Sequence, residues 1–112
     1  MRVKNEAILA HAFLDDMYRD DYFPDMLVDK GKAILLRLCE KIEQATPVDL
    51  DALYVLTHAA TDEFNALAEE FYEHDSEIET AARECIAEAF ALIAKTYGYD
   101  ADIEALIETR DW

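Results

Sequence analysis

Between Leu50 and His74 the apolar positions return at a helical interval. Leu50, Thr57, Phe64 and Phe71 recur every seven residues, and Leu53, Ala60, Leu67 and His74 form a second row three positions on. Asp62, Glu63, Glu69, Glu70 and Glu73 lie largely off this stripe, so the pattern predicts an amphipathic helix from about Asp49 to Glu73. His74, ending the second row, is expected to close one end of a bundle. The same reading gives a first helix capped by Asn5 and running to about Tyr18, its apolar face made by Leu9, Ala10, Phe13, Leu14 and Met17. A second helix reaches about Gln44, with Ile34, Leu35, Leu38, Cys39 and Ile42 inward, and Thr46-Pro47 marks a stop and restart. Ser76-Glu77-Ile78-Glu79 has the form of a capping box for a fourth helix. Ile78, Ala82, Cys85, Ile86, Ala89, Phe90, Ile93 and Tyr97 give that helix a broad apolar arc, which predicts the most central position. Gly98 supplies a left-handed stop, and Asp100 caps a short fifth helix from Ala101 to about Thr109.

Short connections make successive helices antiparallel neighbours. The expected architecture is therefore all-α, a four-helix bundle with a short C-terminal fifth helix, in one domain spanning residues 1–112. The first corner is DDMYRDDYFPDMLVDKG, Asp15 to Gly31. Pro24 disfavours helical backbone at Phe23, so the chain should turn near Tyr22-Phe23 with Asp20 or Asp21 serving the turn. Asp29 is then the expected N-cap of the second helix, with Tyr22, Phe23, Met26, Leu27 and Val28 folded inward.

Composition agrees with this picture. Only two glycines and two prolines occur in 112 residues, and hydrophobic residues make up 53%, a mixture that favours helix over sheet and a packed core over disorder. Net charge changes the functional picture more. Twenty-six acids against ten Lys and Arg leave −16, a field that repels phosphate backbones and anionic lipid, so neither nucleic acid nor membrane is an expected partner. Met1 leads into RVKNEAILAHAFLDD without a long apolar leader, and no run approaches the roughly 18 apolar residues of a membrane span. A soluble, cytoplasmic protein is the expectation.

Catalytic and metal chemistry find little support. A di-metal carboxylate bundle needs Glu-x-x-His, and none of His11, His58 or His74 has a glutamate three residues before it. Cys39 and Cys85 lack zinc-ligand spacing and sit in the apolar contexts LLRLCEKI and RECIAEAF, which reads as buried thiols. The aspartate corner lacks the alternating oxygen ligands and mid-loop glycine of an EF-hand. Serine occurs once, as the expected cap Ser76, and there is no glycine-rich phosphate loop. His58, four residues before Asp62, suggests a surface hydrogen bond. No catalytic residue, metal ligand or cofactor is assigned.

The distribution of charge is the remaining signal. From Ile42 to Ala82 there is no Lys or Arg, while eleven acids occur; the bases gather instead at Lys30, Lys32, Arg37 and Lys41. The expected function is that of a non-enzymatic acidic interaction module for a basic protein, an immunity- or antitoxin-type inhibitor being one form of it. Its partner-binding candidates are Asp16, Asp20, Asp21, Asp25, Asp62, Glu63, Glu69, Glu70 and Glu73. The alternative is a small-ligand-binding protein or enzyme with an interhelical pocket lined by Tyr18, Tyr22, Phe23, Tyr54 and Tyr72. Either a monomer or a homodimer is allowed, the latter closed by Ile103, Leu106, Ile107 and Trp112.

The strings YFPDMLVDKGKAILLRLCEKIE, LTHAATDEFNALAEEFYEHDSEIETAARE and the terminal ETRDW together resemble a family of small acidic bacterial proteins, domain of unknown function 5713. The resemblance covers nearly the whole chain. It implies a bacterial, soluble, helical, single-domain protein and carries over no catalytic residue.

Overall fold

A computed structural model describes residues 3–112. The chain folds as an all-α bundle of helical segments α1 (Glu6–Ala10), α2 (Asp15–Tyr18), α3 (Asp25–Ala45), α4 (Leu50–Glu73), α5 (Thr80–Thr96) and α6 (Ile103–Leu106). The antiparallel pair α3–α4 is its spine: Lys30 meets Glu70 and Arg37 meets Glu63, so the start of α3 lies beside the end of α4. Across this pair lies α5, which touches α1, α2, α3 and α6, as its broad apolar arc predicts.

The core is built where the heptad rows converge. Phe64 of α4 meets Phe90 of α5 with ring centroids 5.9 Å apart and Trp112 at 6.2 Å, both edge-on. Gly31 of α3 faces the same ring. A Cβ there would stand 3.1 Å from Leu14 Cδ1 and 3.2 Å from Phe64 Cε1, so glycine inside this helix lets two large side chains close over the α3 backbone.

Helix ends follow the chemistry of their caps. The Asn5 side chain accepts from the Ile8 amide at 3.1 Å, and that of Asp49 from the Ala52 amide at 2.8 Å. Gly98, at φ +88°, lets the Gly98 amide donate to the Lys95 carbonyl and the Tyr99 amide to that of Ala94, the paired bonds of a Schellman stop. Asp75 performs the same turn after α4 at φ +59°, its amide donating to Tyr72 and that of Ser76 to Phe71.

Several expectations are corrected. The first helix is broken: α1 ends at Ala10, and Leu14 takes a left-handed backbone, φ +61°, before α2 begins. Leu9 and Ala10 consequently stay in water, while Ile8, Phe13, Leu14 and Met17 are buried. Asp29 does not cap a helix, because α3 already starts behind Pro24, whose carbonyl accepts from Leu27 and Val28; Asp29 accepts instead from the Tyr18 hydroxyl at 2.5 Å. Tyr22 and Met26 point outward. The capping box at Ser76 does not form: Ser76 is buried beneath the α4–α5 connection, its hydroxyl without a partner, and α5 begins behind Glu79. Asp100 yields to Asp102, so the last helix is a single turn. His74 is exposed at the end of α4, its Nδ1 donating to the Glu70 carbonyl.

The C-terminal segment is tied down by a polar row on α4. His58 Nε2 donates to the Ala105 carbonyl at 2.7 Å, Thr61 faces the Leu106 carbonyl, and Asn65 bonds both Thr109 and the Asp111 amide. Residues 58, 61 and 65 share one helix face. His58 therefore serves this docking instead of a bond to Asp62. Of the apolar edge expected to close a homodimer, Leu106 and Ile107 are buried within the chain and Trp112 lies on Phe64, while Ile103 is 41% exposed.

The two Schellman turns yield a paired test. Gly98→Ala meets no steric contact, so its expected loss of about 1–2 kcal/mol is purely conformational. Asp75→Gly should gain about 0.5 kcal/mol or more by relieving the same strain. Urea unfolding of both, with Asp75→Asn as a charge control, reads the effect; a Gly98→Ala variant as stable as the parent would refute the assignment.

Candidate functional site

Seven exposed positions of α4 fall on one line: Asp51, Val55, Ala59, Asp62, Ala66, Glu69 and Glu73, spaced by steps of four, four, three, four, three and four residues. Such spacing keeps a single face along a helix that is about 36 Å long. The face exists because the opposite side of α4 is consumed by Leu53, Thr57, Ala60, Phe64, Leu67 and Phe71. It carries four carboxylates and no base, with Val55, Ala59 and Ala66 as its low apolar floor. Val55 is 69% exposed.

Of the nine acids singled out in the sequence, eight separate into three groups and Asp16 stands alone. Asp62, Glu69 and Glu73 lie on the outward line. Glu63 and Glu70 do not: Glu63 accepts from Arg37 at 2.7 Å and Glu70 from Lys30 at 2.5 Å, so α3 neutralises them across the α3–α4 groove. Asp20, Asp21 and Asp25 surround the first corner. The Asp20 side chain accepts from the Tyr22 amide at 2.9 Å, serving the turn as expected, and Asp25 sits in the first turn of α3, where the helix dipole favours negative charge. Phe23 is buried against Phe71, 6.2 Å between rings, which fixes the corner at the end of the bundle where α4 finishes. The corner and Glu73 thus share one end. Asp16 stands apart, beside Cys85 and Glu88 in a depression of about 280 Å³ between α2 and α5.

A second polar cluster occupies the other end of α3. Glu43 accepts from the Lys4 amide at 2.8 Å, from the Asn5 amide at 3.1 Å, and from the Tyr97 hydroxyl. One carboxylate thereby clasps the N-terminal segment, α3 and α5. Partial burial works against its charge, but the bonds from Tyr97, Lys4 and Asn5, with the Lys4 charge, hold its carboxyl below the usual glutamate range. Burial, with the bond to Glu43, pushes the Tyr97 hydroxyl well up. Cys39, one turn before Glu43, is fully buried, and that burial pushes its thiol up to about 12. Burial raises the Cys85 thiol as well, and the nearby Asp16, Glu88 and Asp15 add to it. Burial thus favours the protonated form of both thiols.

The five aromatics considered for a pocket do not share one. Phe23 belongs to the core, the Tyr18 hydroxyl is bonded to Asp29, Tyr54 stacks on His58 at 5.9 Å, and Tyr22 and Tyr72 are exposed. Among the described residues no group of three His, Cys, Asp or Glu could hold a metal ion, and no helix is long and apolar enough to cross a membrane.

The sequence matches the family of unknown function DUF5713 over residues 7–112. The chain belongs to this family. No curated protein and no solved structure matches it. The stretch shared with DUF5713 includes the α4 face, the corner, Glu43 and Tyr97, and begins after Lys4 and Asn5. The Glu43 clasp escaped sequence reading because its donors lie 38 to 54 residues from Glu43 and none belongs to a local motif.

Glu43→Gln should cost about 1–2 kcal/mol at neutral pH, the worth of charge-assisted hydrogen bonds to one acceptor. Because the folded-state pKa is depressed, that stability is present above the unfolded glutamate value and is lost as pH falls through the folded one. Chemical denaturation should therefore show a gap between parent and variant at pH 7 that narrows below about pH 4. A gap independent of pH would refute the charge-based account.

Proposed function

We propose that this DUF5713 protein is a non-enzymatic interaction module that lays the outward face of α4 on a basic protein partner. The carrying observation is the unbroken line from Asp51 to Glu73, whose Asp51, Asp62, Glu69 and Glu73 have no base among them. Carboxylates on one helix face repel one another by a few tenths of a kcal/mol per close pair, and facing Lys or Arg side chains reverse that cost. The small residues Ala59 and Ala66 let a partner backbone approach closely, and Val55, one turn before Ala59, offers an apolar contact. The corner at Asp20, Asp21 and Asp25 extends the negative field past the end of the helix. With a net charge of −16, such a field steers a basic partner toward the face before contact and sets the rate of association more than its final affinity. Masking a basic surface in this way is how an immunity- or antitoxin-type inhibitor would act.

The expected behaviour is retention of a partner from cell lysate at about 50 mM salt and its loss at about 500 mM, where screening is nearly complete. The triple variant Asp62→Asn, Glu69→Gln, Glu73→Gln should lower the association rate by about tenfold or more. Its stability should stay within about 0.5 kcal/mol of the parent, since these side chains are exposed. A partner held equally at both salt concentrations, or equally by the triple variant, overturns the proposal.

A further inference from the structure

The N-terminal segment is joined to the bundle by a strained link and held by contacts that all lie beyond it. Leu14 is the link: a γ-branched, non-glycine residue at φ +61°, ψ +27°, a backbone disfavoured for L-residues. Before it, Ile8 and Phe13 are each 1% exposed, α1 packs on α5, and the Lys4 and Asn5 amides bond Glu43. Yet Leu9, Ala10, Phe13, Leu14 and Met17 form the stripe of one continuous helix from Asn5 to Tyr18. The broken form leaves Leu9 61% exposed. Local pattern and tertiary docking therefore favour different conformations of the same residues.

We infer that residues 3–10 are an exchangeable arm, with 11–14 as its hinge, whose second partner is another copy of this chain. If residues 11–14 straighten, Asn5–Tyr18 becomes one helix about 20 Å long, which carries Ile8 and Phe13 away from their own seat. A second copy opened in the same way fills that seat with its own arm and donates its Lys4 and Asn5 amides to Glu43. The exchange is reciprocal, so it closes as a two-fold dimer and leaves no open end. The contacts of Lys4, Asn5 and Ile8 are remade in the dimer, while Phe13 and Leu14, which lie in the straightened segment, must reseat. The gains are relief of the Leu14 strain and added helical hydrogen bonds, set against that reseating and the entropy of association. Such a balance makes the dimer concentration-dependent and slow to form, because the arm must first leave its seat.

The distinguishing substitution is at Ala12. It is exposed, and His11 before it is already extended at φ −80°, ψ +134°, the conformation that a residue preceding proline adopts. Ala12→Pro thus suits the extended His11 of the broken form and forbids the continuous helix. Ala12→Gly accepts either backbone but weakens both continuous helices, enough together to lower the dimer constant about thirtyfold. The parent, unfolded and refolded at about 1 mM, the concentration range in which exchange competes, should show a dimer by light scattering that decays slowly on dilution. Ala12→Pro should remain monomeric, and Ala12→Gly should lie between. Glu43→Gln, which loosens the seat equally in both forms, should quicken exchange without changing the final dimer fraction. In mixed labelled and unlabelled samples, isotope-filtered NMR contacts should run from Ile8 of one copy to α5 of the other. A parent that stays monomeric after this treatment, or an Ala12→Gly variant that dimerises as fully as the parent, overturns the inference.

Discussion

The closure of Phe64 over Gly31 is the contact on which the rest of the bundle depends. A full side chain at position 31 would hold α3 and α4 apart, since the space for its first carbon is already bounded by Leu14 and Phe64. With glycine there, the Phe64 ring reaches the α3 backbone on one side and Phe90 and Trp112 on the others. Three parts of the chain are thereby gathered at one residue of α4. The same approach explains the break in the first helix. Leu14 must reach the Gly31 surface while Ile8 and Phe13 reach their own buried positions, and one straight helix cannot satisfy all of them. The cost of a left-handed Leu14 is about 1–2 kcal/mol, against roughly 1.5–3 kcal/mol for each large apolar side chain removed from water. Docking wins over local helical preference.

Charge is arranged around that spine in two different ways. On the α3 side of α4, Glu63 and Glu70 are matched by Arg37 and Lys30, and the pairs bridge the groove between the helices. These pairs are half exposed, so each adds little net stability, but they align the antiparallel hairpin and keep like charges from facing one another. On the outer side no base is within the line from Asp51 to Glu73. The fold thus sets Lys30 and Arg37 against the inner rim of α4 and leaves only acids among the charges of the outer line. Charge cancellation between α3 and α4 is confined to that one edge.

Much of this was legible in the sequence, and what was not has definite causes. The helix from Asp49 to Glu73 was readable because its heptad rows and the Thr46-Pro47 restart before it agree with one another, and the structure adds the Asp49 cap. Gly98 was readable because a left-handed stop is a local property. Ser76 misled because its capping-box spacing is also local, whereas the Schellman turn through Asp75 draws the serine under the connection and gives its amide to Phe71. Asp29 misled because a helix can begin directly behind Pro24, which needs no side-chain cap. Among the candidate acids, Glu63 and Glu70 could not be told from Asp62 and Glu69 by sequence alone. They are neighbours along the chain, and the difference is which side of the helix meets α3.

The two ends of α3 now show contrasting treatments of polar groups, and the contrast separates structural work from available surface. At the Glu43 end the groups are mutually satisfied: Tyr97 donates to Glu43, Tyr99 donates to the Pro47 carbonyl, and the Lys4 and Asn5 amides close on the same carboxylate. A partner approaching there would have to break bonds before making any. At the other end, about 30 Å away along the helix, Asp21 and Asp25 are exposed, as is Glu73 at the adjoining end of α4. The nearest bases are engaged, Lys30 with Glu70 and Arg19 with Asp15. Water is all that a basic side chain would displace from Asp21, Asp25 and Glu73. The acids that organise the bundle and those open to a partner are therefore different residues, so the outer face of α4 can change its charge without disturbing the clasp or the inner salt bridges.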